Sequence, residues 1–206
     1  MPTLTFPTLS RQPSSIMMLL RPNTMVFESP LNGAVQTTDL PGARWICEIT
    51  YDNLFKADRL LMQAFLAQLR GRAGRVYLWD MSHPIPAGSA TGSPLVNGAS
   101  QTGATLITDG WTAGQSPIIK AGDLFAVNGE LKRIVSDANS NGSGQATLTF
   151  EPPLRASPVD NAVITVDKPK FTGMLIDDDQ DMYLARTALS TIPDSGFTLR
   201  FVEAFV

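Results

Sequence analysis

The stretch Asp52-Asn53-Leu54-Phe55-Lys56-Ala57-Asp58-Arg59-Leu60-Leu61-Met62-Gln63-Ala64-Phe65-Leu66-Ala67-Gln68-Leu69 stands almost alone as a helix signal among strand patterns and Gly/Pro/Asn turns. Leu54, Ala57, Leu61, Ala64, Phe65 and Leu69 recur with the helical period, while Lys56, Arg59 and Gln63 fall off that stripe. The spacing predicts a helix over 53–69 whose structural face is Leu54, Leu61, Phe65 and Leu69. Arg70-Gly71-Arg72-Ala73-Gly74 breaks it. On either side, Ala43-Arg44-Trp45-Ile46-Cys47-Glu48-Ile49-Thr50 and Arg75-Val76-Tyr77-Leu78-Trp79-Asp80 read as strands rich in branched and aromatic residues. A strand-helix-strand unit in a mostly β chain implies a helix lying across one sheet face. The expected fold is therefore mainly β with one flanking helix, a β-sandwich or split barrel with a small inserted β domain.

Working outward, Met1 to Pro13 is polar and proline-punctuated and reads as an extended arm, with Phe6 and Leu9 available to dock on a neighbouring subunit. Ser15–Leu20, Thr24–Glu28 and Ala34–Thr38 are strand candidates separated by turn residues. From Ser82 to Gly103 the pattern dissolves into Pro and Gly, and regular β texture resumes at Ala104–Thr108. Asn128-Gly129 between strand formers predicts a two-residue type I′ hairpin. In that register Lys132 shares a face with Ile134, so neither face is cleanly apolar, and a longer loop or a bulge near Lys132 would restore alternation. Val163–Val166, Phe171–Ile176 and Met182–Ala188 are short strands, and Phe197 to Val206 alternates with large apolar residues in phase. A strand this apolar belongs inside the first sheet. The expected domains are residues 1–81 with 168–206, and an inserted or peripheral β domain at 82–167.

Composition excludes several functions. With 206 residues, 43% of them hydrophobic, the chain can build a real core, and a formal charge of -3 offers no basic footprint for nucleic acid. Basic side chains outnumber acidic ones over 1–80 and the reverse holds over 171–206, a contrast that suits either opposed subunit patches or ordinary solvated surface. No apolar run is long enough to span a bilayer and no secretory leader pattern opens the chain, so it reads as soluble, made in the cytoplasm, without membrane insertion. The single cysteine, Cys47, lies in an alternating strand and reads as a buried thiol. The single histidine, His83, beside Ser82 and near Asp80, reads as a turn residue, since adjacent residues on extended backbone point opposite ways. Asp177-Asp178-Asp179-Gln180-Asp181 lacks EF-hand spacing and reads as a solvated turn, with a weak cation site or a charged interface as alternatives. No catalytic constellation, metal site or cofactor is expected. Trp111 with Asp109 is the one place where an aromatic face and a carboxylate suit a sugar, against the plainer reading of Trp111 as packing.

The run from Trp45 through Ala64-Phe65-Leu66-Ala67-Gln68-Leu69-Arg70-Gly71-Arg72-Ala73-Gly74-Arg75-Val76-Tyr77-Leu78-Trp79-Asp80 resembles tail proteins of long-tailed bacteriophages. So do Lys120-Ala121-Gly122-Asp123-Leu124-Phe125-Ala126-Val127 and Gln145-Ala146-Thr147-Leu148-Thr149-Phe150-Glu151-Pro152-Pro153-Leu154-Arg155. Within that group the chain is most similar to distal tail, or baseplate hub, proteins. The resemblance implies a homo-oligomer, commonly a hexameric ring, seated between the tail tube protein and the tail hub or tip proteins. It implies a virion tail location after assembly in the host cytoplasm, with Phe6, Leu9, Arg70 and Arg72 as candidate assembly residues. A host-surface glycan module, or another minor tail protein at the same junction, is the alternative; a hydrolase using carboxylate pairs lacks any means of placing them.

Overall fold

The computed structural model describes residues 2–52, 54–179, 182–183 and 196–205. Its strands are β1 (Thr3–Thr5), β2 (Ser15–Arg21), β3 (Thr24–Glu28), β4 (Val35–Asp39), β5 (Arg44–Tyr51), β6 (Arg75–Leu78) and β7 (Gly92–Val96). They continue as β8 (Gly103–Trp111), β9 (Leu124–Val127), β10 (Glu130–Ile134), β11 (Ala146–Leu154), β12 (Phe171–Leu175), β13 (Met182–Tyr183) and β14 (Gly196–Glu203). The one α-helix among the described residues, α1 (Lys56–Leu69), joins β5 to β6. The protein is mainly β, with curled sheets and a single flanking helix. Contacts divide it into two units, residues 1–76 with 172–206 and residues 77–171.

In the first unit the sheet runs β1-β6-β12-β14-β5-β2, with β13 beside β14. Alternation sets its faces: Trp45, Cys47, Ile49 and Tyr51 of β5, and Phe197, Leu199 and Phe201 of β14, are buried on the inner side. Glu203 continues that phase and is also buried, its carboxylate accepting from the Trp45 backbone N–H at 3.2 Å. The backbone of β13 pairs Met182 with Phe197; the remainder of the expected 182–188 strand, with Gln180 and Asp181, lies outside the described residues.

The helix packs with a different phase from the one its apolar residues suggest. Leu54, Met62, Phe65 and Leu69 are buried, but so is Asp58, whereas Leu61 is 53% exposed. The physical reason is Ser10: its N–H donates to Asp58 Oδ1 at 3.1 Å and its hydroxyl donates to Oδ2, so the carboxylate is satisfied inside. Ordering residues by hydrophobicity excludes Asp58, which rotates the stripe by one residue, about 100° around the helix. The outer face that results carries Ala57, Leu60, Leu61 and Ala64.

The N-terminal segment is likewise part of its own unit. Phe6 is 2% exposed, edge-on to Phe65 at 5.5 Å and to Phe201 at 6.4 Å, so it fills the gap between helix and sheet instead of docking on a neighbour. β1 takes the sheet edge beside β6. Further along, the Arg11 guanidinium stacks 4.6 Å from the Phe55 ring centroid, and Ser14 N–H donates to Thr50 O at 2.8 Å.

The second unit is a five-stranded sheet, β7-β8-β11-β10-β9, around Trp111, Phe125, Leu148 and Phe150. Its hairpin has the two-residue turn, with Asn128 at φ 51 and Gly129 at φ 75 and with Val127 opposite Glu130. Register is continuous through Lys132, so no bulge occurs there. The mixed face is tolerated because Lys132 and Glu130 pair with each other inside, Nζ to Oε2 at 2.6 Å, and Lys132 also donates to Pro153 O at 2.8 Å. Val163 and Thr165 make isolated bridges to Leu95 and Ala126 in place of the expected strand.

Candidate assembly surface

β2 and β5 are hydrogen-bonded neighbours from Ser15–Thr50 to Arg21–Arg44, and the chain between them folds out as a second antiparallel pair, β3 with β4. Pro22 and Pro41 mark where the ladder breaks, because neither can donate to it. Two bonds tie the base: Asn23 Nδ2 donates to Pro41 O at 2.7 Å and Leu40 N–H donates to Asn23 O at 2.8 Å. At the tip, Ser29 N–H donates to Ala34 O, Ala34 N–H donates to Asn32 Oδ1, and Gly33 supplies the positive φ of 67° that the turn requires.

Every strand residue of this ribbon is exposed. Met25, Val26 and Phe27 are each at least 60% exposed and Leu31 is 95% exposed, with Val35 also open. Register assigns the faces: Met25 and Phe27 lie with Thr38 and Gln36, while Val26 and Glu28 lie with Thr37 and Val35. Both faces are therefore apolar in part. β2, at the end of its sheet, adds exposed Met17 and Leu19.

A groove of about 570 Å³ opens at the ribbon's base on the outer side of the sheet. Arg21, Arg44 and Arg72 rim it, Ile46, Met174, Val202 and Phe205 line its floor, and among the described residues no acidic side chain lines it. Arg44 stacks 4.4 Å from the Phe205 ring centroid. Asp178 Oδ1 accepts the Arg72 backbone N–H at 2.8 Å, and a Cβ on Gly71 would overlap that carboxylate, so one member of the acidic cluster caps the turn after α1.

The other sequence candidates do not converge here. Leu9 is half-buried, and Arg70 is an exposed left-handed helix cap with φ 54. Trp111 is 4% exposed, its Nε1 donating to Thr108 Oγ1 at 2.8 Å, so the ring belongs to the core and has no face for a sugar; Asp109 is half-buried beside it in sequence. Asp80 accepts from the Ser82 and His83 backbone N–H groups and from the Ser82 hydroxyl, while Ser82 Oγ lies 3.1 Å from His83 Nδ1. The carboxylate orients a turn, not the imidazole, which is the wrong order of contacts for a triad. Cys47 is buried. Among the described residues no cluster of His, Cys, Asp and Glu is placed to hold a metal, and no helix is long and apolar enough to cross a membrane.

Two buried titratable groups are structural. Burial pushes the Glu130 carboxyl up, but hydrogen bonds from Lys132 and the Arg155 backbone, with the charges of Lys132 and Arg155, together hold it below its ordinary value. Burial, then the Asp58 carboxylate, raise the Tyr51 hydroxyl to about 12.

The ribbon residues escaped the reading of the sequence as assembly residues. Their signal was present in Met25-Val26-Phe27, three consecutive apolar residues in one short strand, which must put apolar side chains on both faces. Compared with protein-family models and with curated proteins, the chain matches none.

Proposed function

We propose that this chain is a structural subunit of a bacteriophage tail tip, whose first unit builds a ring joining the tail tube to the tip proteins through protein–protein contacts. The observation that carries the reading is the β3–β4 ribbon, which exposes Met25 and Phe27 on one face, Val26 and Val35 on the other and Leu31 at its tip. Single exposed apolar residues are ordinary, but five gathered on one extended hairpin support an interaction surface. A two-stranded hairpin is marginal alone in water, so a partner that covers it also fixes it. The exposed edge at β2 points the same way. The similarity of residues 45–80, 120–127 and 145–155 to distal tail proteins supplies the tail setting.

The test is the mass of the full chain across a concentration series, with low-resolution imaging of the assembled particle. A closed cyclic oligomer, hexameric in this reading, is the expected result. A monomer at every concentration, even with purified tail tube protein present, overturns it.

A further inference from the structure

The arginine groove lies at the base of the hairpin and the ribbon extends from it, with Asp39 at the base and Glu28 near the tip, and the two are complementary in charge. Arg21 and Arg44 are direct cross-strand partners on the outer face of β2 and β5. Like charges placed opposite one another oppose pairing, and among the described residues that line this groove none is acidic. The ribbon, residues 24–39, contains two ionisable side chains, Glu28 and Asp39, and no basic one. By register both lie on the same face as Val26 and Val35. That face is thus acidic and apolar, matching a groove that is basic at its rim and apolar at its floor.

Glu28 cannot reach the groove of its own chain. It stands four residues along β3 from the base, about 14 Å in an extended strand. We infer that the ribbon of one copy docks by its Val26–Glu28–Val35 face into the Arg21/Arg44/Arg72 groove of the next copy, with Glu28 opposite Arg44. Because donor and acceptor surfaces differ, the contact is head-to-tail and repeats until it closes. The inference rests on the self-assembly reading above and specifies which surfaces perform it.

The experiment uses the full chain, with Glu28→Arg, Arg44→Glu and the combined charge swap, each checked for folding by circular dichroism. Glu28 is exposed, and Arg44 is half-buried opposite Arg21, where a carboxylate gains a cationic neighbour, so the subunit fold should survive. Each single variant should raise the concentration needed for assembly by about tenfold or more, and the swap should restore it. Independently, the Glu28→Cys/Arg44→Cys variant under oxidation should give a ladder of linked subunits, since Cys47 is buried. Assembly unchanged in both single variants, or a swap that stays dissociated with no ladder from the cysteine pair, overturns this docking while leaving ring formation standing. A wild-type chain that never assembles removes the self-assembly reading itself. Restoration of the single variants only by an added tail tube protein would assign the groove to that protein and overturn the self-docking.

Discussion

Truncating Phe6 to Ala tests whether the N-terminal segment belongs to the subunit core. The ring is 2% exposed and lies edge-on to Phe65 of the helix and Phe201 of β14, so its removal opens a cavity where three elements meet. Phe-to-Ala changes at such sites cost about 3–5 kcal/mol, the lost transfer energy and the cavity acting together. With a urea dependence of about 2 kcal/mol per molar, the unfolding midpoint of the first unit should fall by about 1.5–2.5 M. Peptide-resolved hydrogen exchange across a urea series reads this directly: residues 44–51 and 196–203 should lose protection early, while residues 124–134 of the second unit act as an internal control. Phe6→Leu, which keeps most of the volume, should cost under about 1.5 kcal/mol and remain measurable if the alanine variant fails to fold. Unchanged protection at 44–51 and 196–203 in Phe6→Ala would return the segment to the status of a free arm.

Two further predictions address the helix phase and the buried ion pair. Met62→Ala should destabilise by about 2–5 kcal/mol, whereas Leu61→Ala in the unassembled subunit should stay within about 0.5 kcal/mol of wild type; equal midpoints in urea unfolding would refute the phase. Because the Glu130 carboxyl is held below its ordinary value of 4.5, its contribution is fully present above that pH and is lost as pH falls through the folded-state value. Glu130→Gln should accordingly cost about 3–5 kcal/mol at neutral pH by leaving Lys132 buried without its partner charge, and the gap to wild type should narrow below pH 4.5. A gap that is constant with pH would sink the assignment.

Features that depend on backbone period were legible in the sequence, and those that depend on polar partners were not. The alternation of Trp45, Cys47 and Ile49, the apolar row from Phe197, and Asn128-Gly129 each fix a local geometry unaided. Asp58 has no place in an apolar stripe and Lys132 breaks the alternation of its strand because their partners, Ser10 and Glu130, are invisible to a hydrophobicity pattern; both are buried, and the first misplaces the helix face. Phe6 failed for a related reason. A single aromatic among prolines looks unanchored until the long-range contact with Phe201 is known. The groove depends on five separate segments meeting, so of its arginines only Arg72 is a candidate, through the resemblance, and the pairing of Arg21 with Arg44 requires the register.

The distribution of exposed apolar residues supports assigning the proposed assembly to the first unit. In the second unit Tyr77, Ile85, Ile107, Val135, Val159 and Val163 are exposed at separated positions in the chain, with Tyr77 and Val163 meeting at one shallow groove. In the first, Leu60 and Leu61 on the helix and Phe205 are exposed apart from the rest, but Met17, Leu19, Met25, Val26, Phe27, Leu31 and Val35 fall within one continuous stretch, the strand at the sheet end and the ribbon that extends from it. Cores of comparable apolar content exist in both, so the difference is not one of folding. The same unit buries Phe6 from a proline-rich terminus and Asp58 by satisfying it, so five large apolar residues left in water on one hairpin support the proposal that another surface covers them. Under the proposed assembly, the first unit's contact with its partner is made at the ribbon.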